Sequence, residues 1–84
     1  MKFIAQIDVM PQKEILDPQG KAVKLGLKNL GVLQVEDVRI GKHIKMEFEA
    51  ATNEEAIEKV ELACSKLLAN LIMEDFSYQI TELE

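Results

Sequence analysis

Val35-Glu36-Asp37-Val38-Arg39-Ile40-Gly41-Lys42-His43, continued by Ile44-Lys45-Met46-Glu47-Phe48-Glu49-Ala50, is the stretch on which the fold turns. Residues 35–40 read as a strand. Ile44, Met46, Phe48 and Ala50 then alternate cleanly with Lys45, Glu47 and Glu49, the two-residue period of a strand with one buried face. Between the runs, Gly41-Lys42-His43 allows a tight hairpin, because glycine tolerates positive φ. The same three residues fit a bulge within one long bent strand. Both readings stay open; the hairpin is carried forward.

Upstream, Phe3, Ala5, Ile7 and Val9 alternate with Lys2, Gln6 and Asp8, a second one-faced strand that Pro11 ends because it cannot donate to a ladder. Ile4 interrupts the polar side. After a connector, Asp17 caps free backbone N–H groups and Pro18 takes the first helical position at no hydrogen-bond cost. Val23, Leu27 and Leu30 form one apolar stripe over 18–30, with Lys21, Lys24 and Lys28 largely off it. Gly26 in mid-helix costs about 1 kcal/mol relative to Ala, so close packing against a sheet is expected there. Gly31 supplies the left-handed residue that closes such a helix.

Downstream, Thr52-Asn53-Glu54-Glu55 is a capping box. The helix it opens is expected to bury Ile57, Val60, Cys64, Leu67 and Leu68, and to end at Asn70. Phe76, Tyr78 and Ile80 alternate with polar residues as a last strand. The order is β-α-β-β-α-β: an α+β, two-layer fold with a mostly antiparallel sheet and two helices on one face. Exposed sheet edges and a thin core favour self-association.

Eighty-four residues make one domain, 1–84, and a chain this short buries only about 60–65% of its unfolded surface. Fifteen acids against ten bases give a net charge of −5, and the only helical row of bases is Lys21, Lys24 and Lys28, which reads as a solvated helix face. Nucleic acid, which needs a basic face to displace counterions, is not an expected partner. Neither is a membrane, since the apolar runs fall far short of a span. The single Cys64 gives no internal disulfide and no CxxC pair. With no apolar leader at Met1-Lys2-Phe3-Ile4, the expected compartment is the cytoplasm.

Chemistry-bearing residues are few. His43, the one histidine, has no Ser, Cys or acid at a catalytic spacing and reads as a solvent-facing turn residue. Cys64 sits mid-helix on an apolar stripe, where nothing lowers a thiol pKa, and reads as packing. Glu36-Asp37 lies on a strand, where adjacent side chains point to opposite faces. Glu54-Glu55 suits the helix dipole, which leaves Glu74-Asp75 as a contact surface. No phosphate loop, nucleotide fingerprint or metal spacing is present.

Four blocks, in order and at these separations, carry a resemblance: Leu16-Asp17-Pro18-Gln19-Gly20, Val38-Arg39-Ile40-Gly41-Lys42, Cys64-Ser65-Lys66-Leu67-Leu68-Ala69-Asn70, and Glu74-Asp75-Phe76. Together they resemble the PurS family, the small subunit of phosphoribosylformylglycinamidine synthase, from Met10 to about Tyr78. Two departures are Gln12, where a connector lysine is common, and Leu71, where a proline is common. The resemblance implies a non-catalytic subunit, a homodimer or dimer of dimers, that bridges a glutaminase and a large synthetase and helps close the ammonia route between them. ATP and Mg²⁺ belong to the large partner; no cofactor, metal or catalytic residue is expected in this chain. It further implies contacts to partner or sister subunits at Asp17, Gln19, Arg39, Lys42, Asn70, Glu74 and Asp75. Pro18, Gly20, Gly31, Gly41, Thr52 and Glu55 are expected to be structural. The alternative is a dimeric regulatory module holding a small molecule near the Gly31 loop, although Gly31-Val32-Leu33-Gln34 offers few polar groups for one.

Overall fold

In the computed structural model, which describes residues 1–83, strand β1 (Lys2–Pro11) is the centre of an antiparallel sheet. Strand β2 (Lys42–Glu49) lies on one side and β3 (Glu74–Leu83) on the other. Helix α1 (Pro18–Asn29) joins β1 to β2, and α2 (Asn53–Ala63), extended by a five-residue π-helical turn at Cys64–Leu68, joins β2 to β3. The fold is thus α+β, with the order β-α-β-α-β.

Alternation places Phe3, Ala5, Ile7 and Val9 on one face of β1, all buried. Against them α2 sets Ala56 and Val60, and the π-helical turn sets Cys64. Fully burying a side chain such as Val60 is worth about 1.5–3 kcal/mol, and this face is the core. Phe3 also stacks on Phe48, with centroids 5.8 Å apart. The other face keeps Lys2, Gln6 and Asp8 in water.

Three expectations are corrected. Residues 35–41 join no ladder, so the 35–50 run is neither a hairpin nor one continuous strand; only Lys42–Glu49 pairs. Side chains claim the backbone that a ladder would use. The Asp17 carboxylate accepts from Ile40 N (2.8 Å), and Lys24 Nζ donates to the Glu36 carbonyl (2.8 Å). Two glycines hold the segment there: a Cβ on Gly20 would collide with the Val38 carbonyl, and one on Gly41 with the Val9 carbonyl.

The second correction concerns α1. Only Gly20 of this helix is buried, Val23 and Leu30 are exposed (Leu30 at 81%), and no α1 residue belongs to the core among the described residues. A Cβ at Gly26 would meet nothing within 4 Å, so its expected sheet contact is absent. One helix, not two, covers the sheet. Helix α1 and its returning segment project as an arm, and the molecule measures 51 × 29 × 14 Å. Its radius of gyration is 16.5 Å, against about 12 Å for a compact chain of this length.

The third is the phase of α2. The π turn, closed by Ala69 N donating to the Cys64 carbonyl at 3.0 Å, inserts one residue into the helical repeat. Leu68 therefore packs on the core while Leu67, expected inside, is 82% exposed. Ile57 is also exposed. The helix ends before Asn70, at Ala69, whose backbone is extended.

Candidate functional site

The end of the sheet where β1 stops and β3 begins gathers residues from four separate segments. Asp17 is the first. Its Oδ1 accepts from Gly20 N at 3.0 Å, capping α1, and its Oδ2 accepts from Ile40 N. One carboxylate thus fastens the base of the arm on both sides. The N–H of Ile40, then that of Gly20, holds the Asp17 carboxyl below the usual carboxylate range; burial opposes them less strongly, and the nearby Arg39 charge adds a still smaller lowering.

Arg39 works beside it. Its Nη2 donates to the carbonyls of Gln12 and Ile15, the latter at 2.9 Å. A planar guanidinium reaches two carbonyls at once, which pins the connector between β1 and α1. Gln12 carries the link onward: its N–H donates to the Met73 carbonyl (2.8 Å) and its Nε2 to that of Leu71 (3.1 Å). Sequence reasoning noted Gln12 only as a departure from the family pattern. Its role depends on spatial neighbours about sixty residues away, which no local pattern encodes.

Asn70 and Glu74 close the turn that Gln12 reaches. Asn70 Oδ1 accepts from Ile72 N (3.1 Å), Glu74 Oε1 accepts from Asn70 N (2.8 Å), and Glu74 N donates to the Asn70 carbonyl (2.7 Å). The remaining expected contact residues lie at the same end. Lys42 stands opposite Val9, Asp75 opposite Met10, and Gln19 occupies the first turn of α1; all three are exposed. Exposed apolar side chains accompany them, namely Met10, Leu16, Leu71, Ile72 and Met73. Polar side chains that fix backbone are thus set beside unburied apolar ones at this end of the sheet.

The structural residues act as follows. Pro18 opens α1, and Gly31, at φ +87°, closes it: Gly31 N donates to the Lys28 carbonyl and Val32 N to that of Leu27. Thr52 Oγ1 accepts from Glu55 N at 3.1 Å, while the Glu55 carboxylate reaches back to Ala51 N at 3.3 Å.

His43 is not a turn residue. It sits on β2 with Nδ1 2.6 Å from Asp8 Oδ1 and Nε2 2.6 Å from Gln6 Oε1. Ser77 also lies opposite Asp8, but on the far side of β1, so Asp8 separates serine from imidazole and no nucleophile–base pair forms. The Gln6-x-Asp8 spacing is the sequence signal for this cluster, because it puts both on one strand face. Cys64 is buried, and burial pushes its thiol up from the ordinary value. A cleft of about 310 Å³ lies between α1 and 32–35, where the regulatory reading placed its ligand.

Residues 4–82 match the profile of the family described as PurS, phosphoribosylformylglycinamidine (FGAM) synthase. The chain belongs to the PurS family. The phosphoribosylformylglycinamidine synthase subunit PurS of Synechocystis is 40% identical over 82 residues, which are 98% of this chain and 82% of the relative. Thermus thermophilus PurS superposes with a TM-score of 0.86 at 40% identity, each chain covered fully. A chain in the structure of PurLQS from Thermotoga maritima gives 0.87 at 33% identity, covering 96% of this chain and 99% of that one. The function of this PurS-family chain is accordingly that of a phosphoribosylformylglycinamidine synthase subunit in purine biosynthesis. No helix of the described residues is long and apolar enough to cross a membrane.

Proposed function

We propose that this chain joins a large synthetase and a glutaminase in a PurLQS-type complex, as a non-catalytic bridge that helps enclose the passage of ammonia between them. The observation that carries the reading is the convergence of Asp17, Gln19, Arg39, Lys42, Asn70, Glu74 and Asp75 on one end of the sheet, beside five exposed apolar side chains. Ammonia is lost to water and protonated near neutral pH, so its transfer needs closed, rigid interfaces more than reactive side chains. ATP and Mg²⁺ act on the large partner in this reading. The buried, unpaired Cys64 suits the reducing cytoplasm.

The chain works as a homodimer or dimer of dimers. An uncovered arm, a segment at 35–40 outside any ladder among the described residues, and open outer edges on β2 and β3 all call for a second copy.

Size-exclusion chromatography with light scattering tests this. The chain is mixed with the synthetase and glutaminase of the same source, glutamine and ADP–Mg²⁺. Co-elution as one species, lost when this chain is omitted, is the expected result. Separate elution under all conditions refutes the bridge.

A further inference from the structure

We propose that Met10 and Met73 form an oxidation-sensitive pair, at which hydrogen peroxide converts the thioethers to sulfoxides and so weakens the docking of the larger subunits. This rests on the bridging role proposed above and adds a modification that controls it. Of the four methionines, Met1, Met10 and Met73 are exposed, and Met46 packs against the core. Met1 lies at the far end of the sheet, where its carbonyl accepts from Ala50 N. Met10 and Met73 lie at the docking end. Met10 stands opposite Asp75 near the end of β1. The Met73 carbonyl accepts from Gln12 N at 2.8 Å, which holds that residue just ahead of β3 and beside the connector.

Two features single out these positions. The first is which sulfurs solvent can reach. The one thiol, Cys64, is fully buried and burial raises it, so the thiolate that a peroxide would otherwise attack is withheld. The second is placement. A Cβ on Gly41 would collide with Met10 Sδ, so the thioether lies over Gly41 in the space that a side chain there would fill. Gly41 is where the segment returning from the arm enters β2. Met73 follows the exposed Leu71 and Ile72, in the turn that Asn70 and Glu74 close. An oxygen added to Met10 therefore falls at the junction of arm and sheet, and one added to Met73 falls among the apolar docking side chains.

The step balances without help from the protein. A methionine sulfur lone pair attacks one peroxide oxygen, the O–O bond breaks, an S–O bond forms, and the second oxygen leaves as water with both protons. Sulfur is oxidised by two electrons and the peroxide is reduced by two. The flexible apolar side chain becomes polar, which costs binding when a partner buries it unpaired. Methionine sulfoxide reductases reverse the step.

The free chain is treated with hydrogen peroxide, the excess is removed with catalase, and peptide mass spectrometry measures sulfoxide at each methionine. Treated and untreated chains are then titrated into the synthetase and glutaminase of the same source, with glutamine and ADP–Mg²⁺, and followed by sedimentation velocity. Met10 and Met73 should oxidise well before Met46, and treatment should weaken assembly roughly tenfold or more. The reductases should restore it. In the chain carrying Met10→Leu and Met73→Leu, treated and untreated samples should bind alike, whereas Met1→Leu should stay as sensitive as the parent. Circular dichroism checks folding; if the double variant fails to fold or bind, the single replacements decide, each expected to lose part of the sensitivity. Full oxidation of both methionines with no loss of assembly overturns the proposal and leaves the bridge standing. Undiminished sensitivity in the leucine variants, or a loss that the reductases do not reverse, does the same. An untreated parent that never joins the partners overturns the bridge and this proposal with it.

Discussion

At the scale of single residues, Arg39 has an internal task beside the contact that the family resemblance implies. Its Nη2 donates to the Gln12 and Ile15 carbonyls. Arg39→Ala should therefore destabilise the folded chain by about 1.5–3 kcal/mol, the usual worth of a hydrogen bond from a charged donor, as measured by urea unfolding. Arg39→Lys should recover only part of this, because the lysine side chain is one bond shorter and its flexible ammonium is not held in a plane that aims its donors. Titratable residues set the pH limits. The Asp17 carboxyl is held low by the Ile40 and Gly20 N–H groups, so its contribution is complete above the unfolded value near 3.8 and is lost as pH falls through the lower folded value. Tyr78 and Cys64 act at the other end. The hydrogen bond to Glu61 raises the tyrosine above 10.0, and burial raises the thiol above 9.0. Each favours the folded state below its unfolded value, and that advantage is lost as pH rises through the folded one. Unfolding midpoints measured from pH 2 to 11 should fall at both ends; Asp17→Asn should flatten the acid limb and Tyr78→Phe part of the alkaline one. The caps at Asp17, Gly31 and Thr52 were legible because they are local. The Gln12 and His43 contacts were not, because they join strands and loops far apart in the chain.

At the scale of elements, strands and helices were legible wherever periodicity had a single solution. The alternation of β1 and β3 and the capping box of α2 are examples. Two features escaped it. A π turn changes the helical phase without changing any apolar residue, so the loss of Leu67 from the buried face, while Leu68 stays on it, is read only once the Ala69–Cys64 hydrogen bond is known. The second is 35–40, whose strand-like pattern is real but which joins no ladder here, its Ile40 N–H being held by Asp17 and its Glu36 carbonyl by Lys24. The corrected phase makes a sharp prediction. Leu67→Ala should change stability by less than about 0.5 kcal/mol, the usual range for an exposed site. Val60→Ala should cost about 2 kcal/mol, because it removes buried methyl groups and leaves a cavity. Urea midpoints for the two variants decide it; equal losses would mean that Leu67 packs in the core after all.

At the scale of the whole molecule, the arm explains why the apolar stripe of α1 does not face the chain's own sheet. Val23, Leu27 and Leu30 do form a stripe, and an apolar stripe in a small domain ordinarily faces that domain's own sheet. Here the stripe belongs to a chain whose 16.5 Å radius of gyration exceeds that of a compact domain, and Leu30 stands almost entirely in water. An isolated helix of 12 residues is marginal in water, since most helical stability in proteins comes from packing an apolar face. The arm should consequently depend on association in a way that the sheet does not. Amide hydrogen exchange, followed by mass spectrometry across a dilution series, separates the two. Peptides from β1, β3 and α2, which share the buried core, should keep their protection on dilution. Peptides spanning 18–40 should lose theirs as copies part, because opening the arm then breaks few buried contacts. Gly26→Ala adds a second axis to the same experiment. In the separated chain it should slow exchange in α1, as alanine favours a helix over glycine by about 1 kcal/mol and its Cβ meets nothing. Arm protection that is independent of concentration would show instead that α1 is stable without a partner, and the reason for its exposed stripe would then lie with the larger subunits.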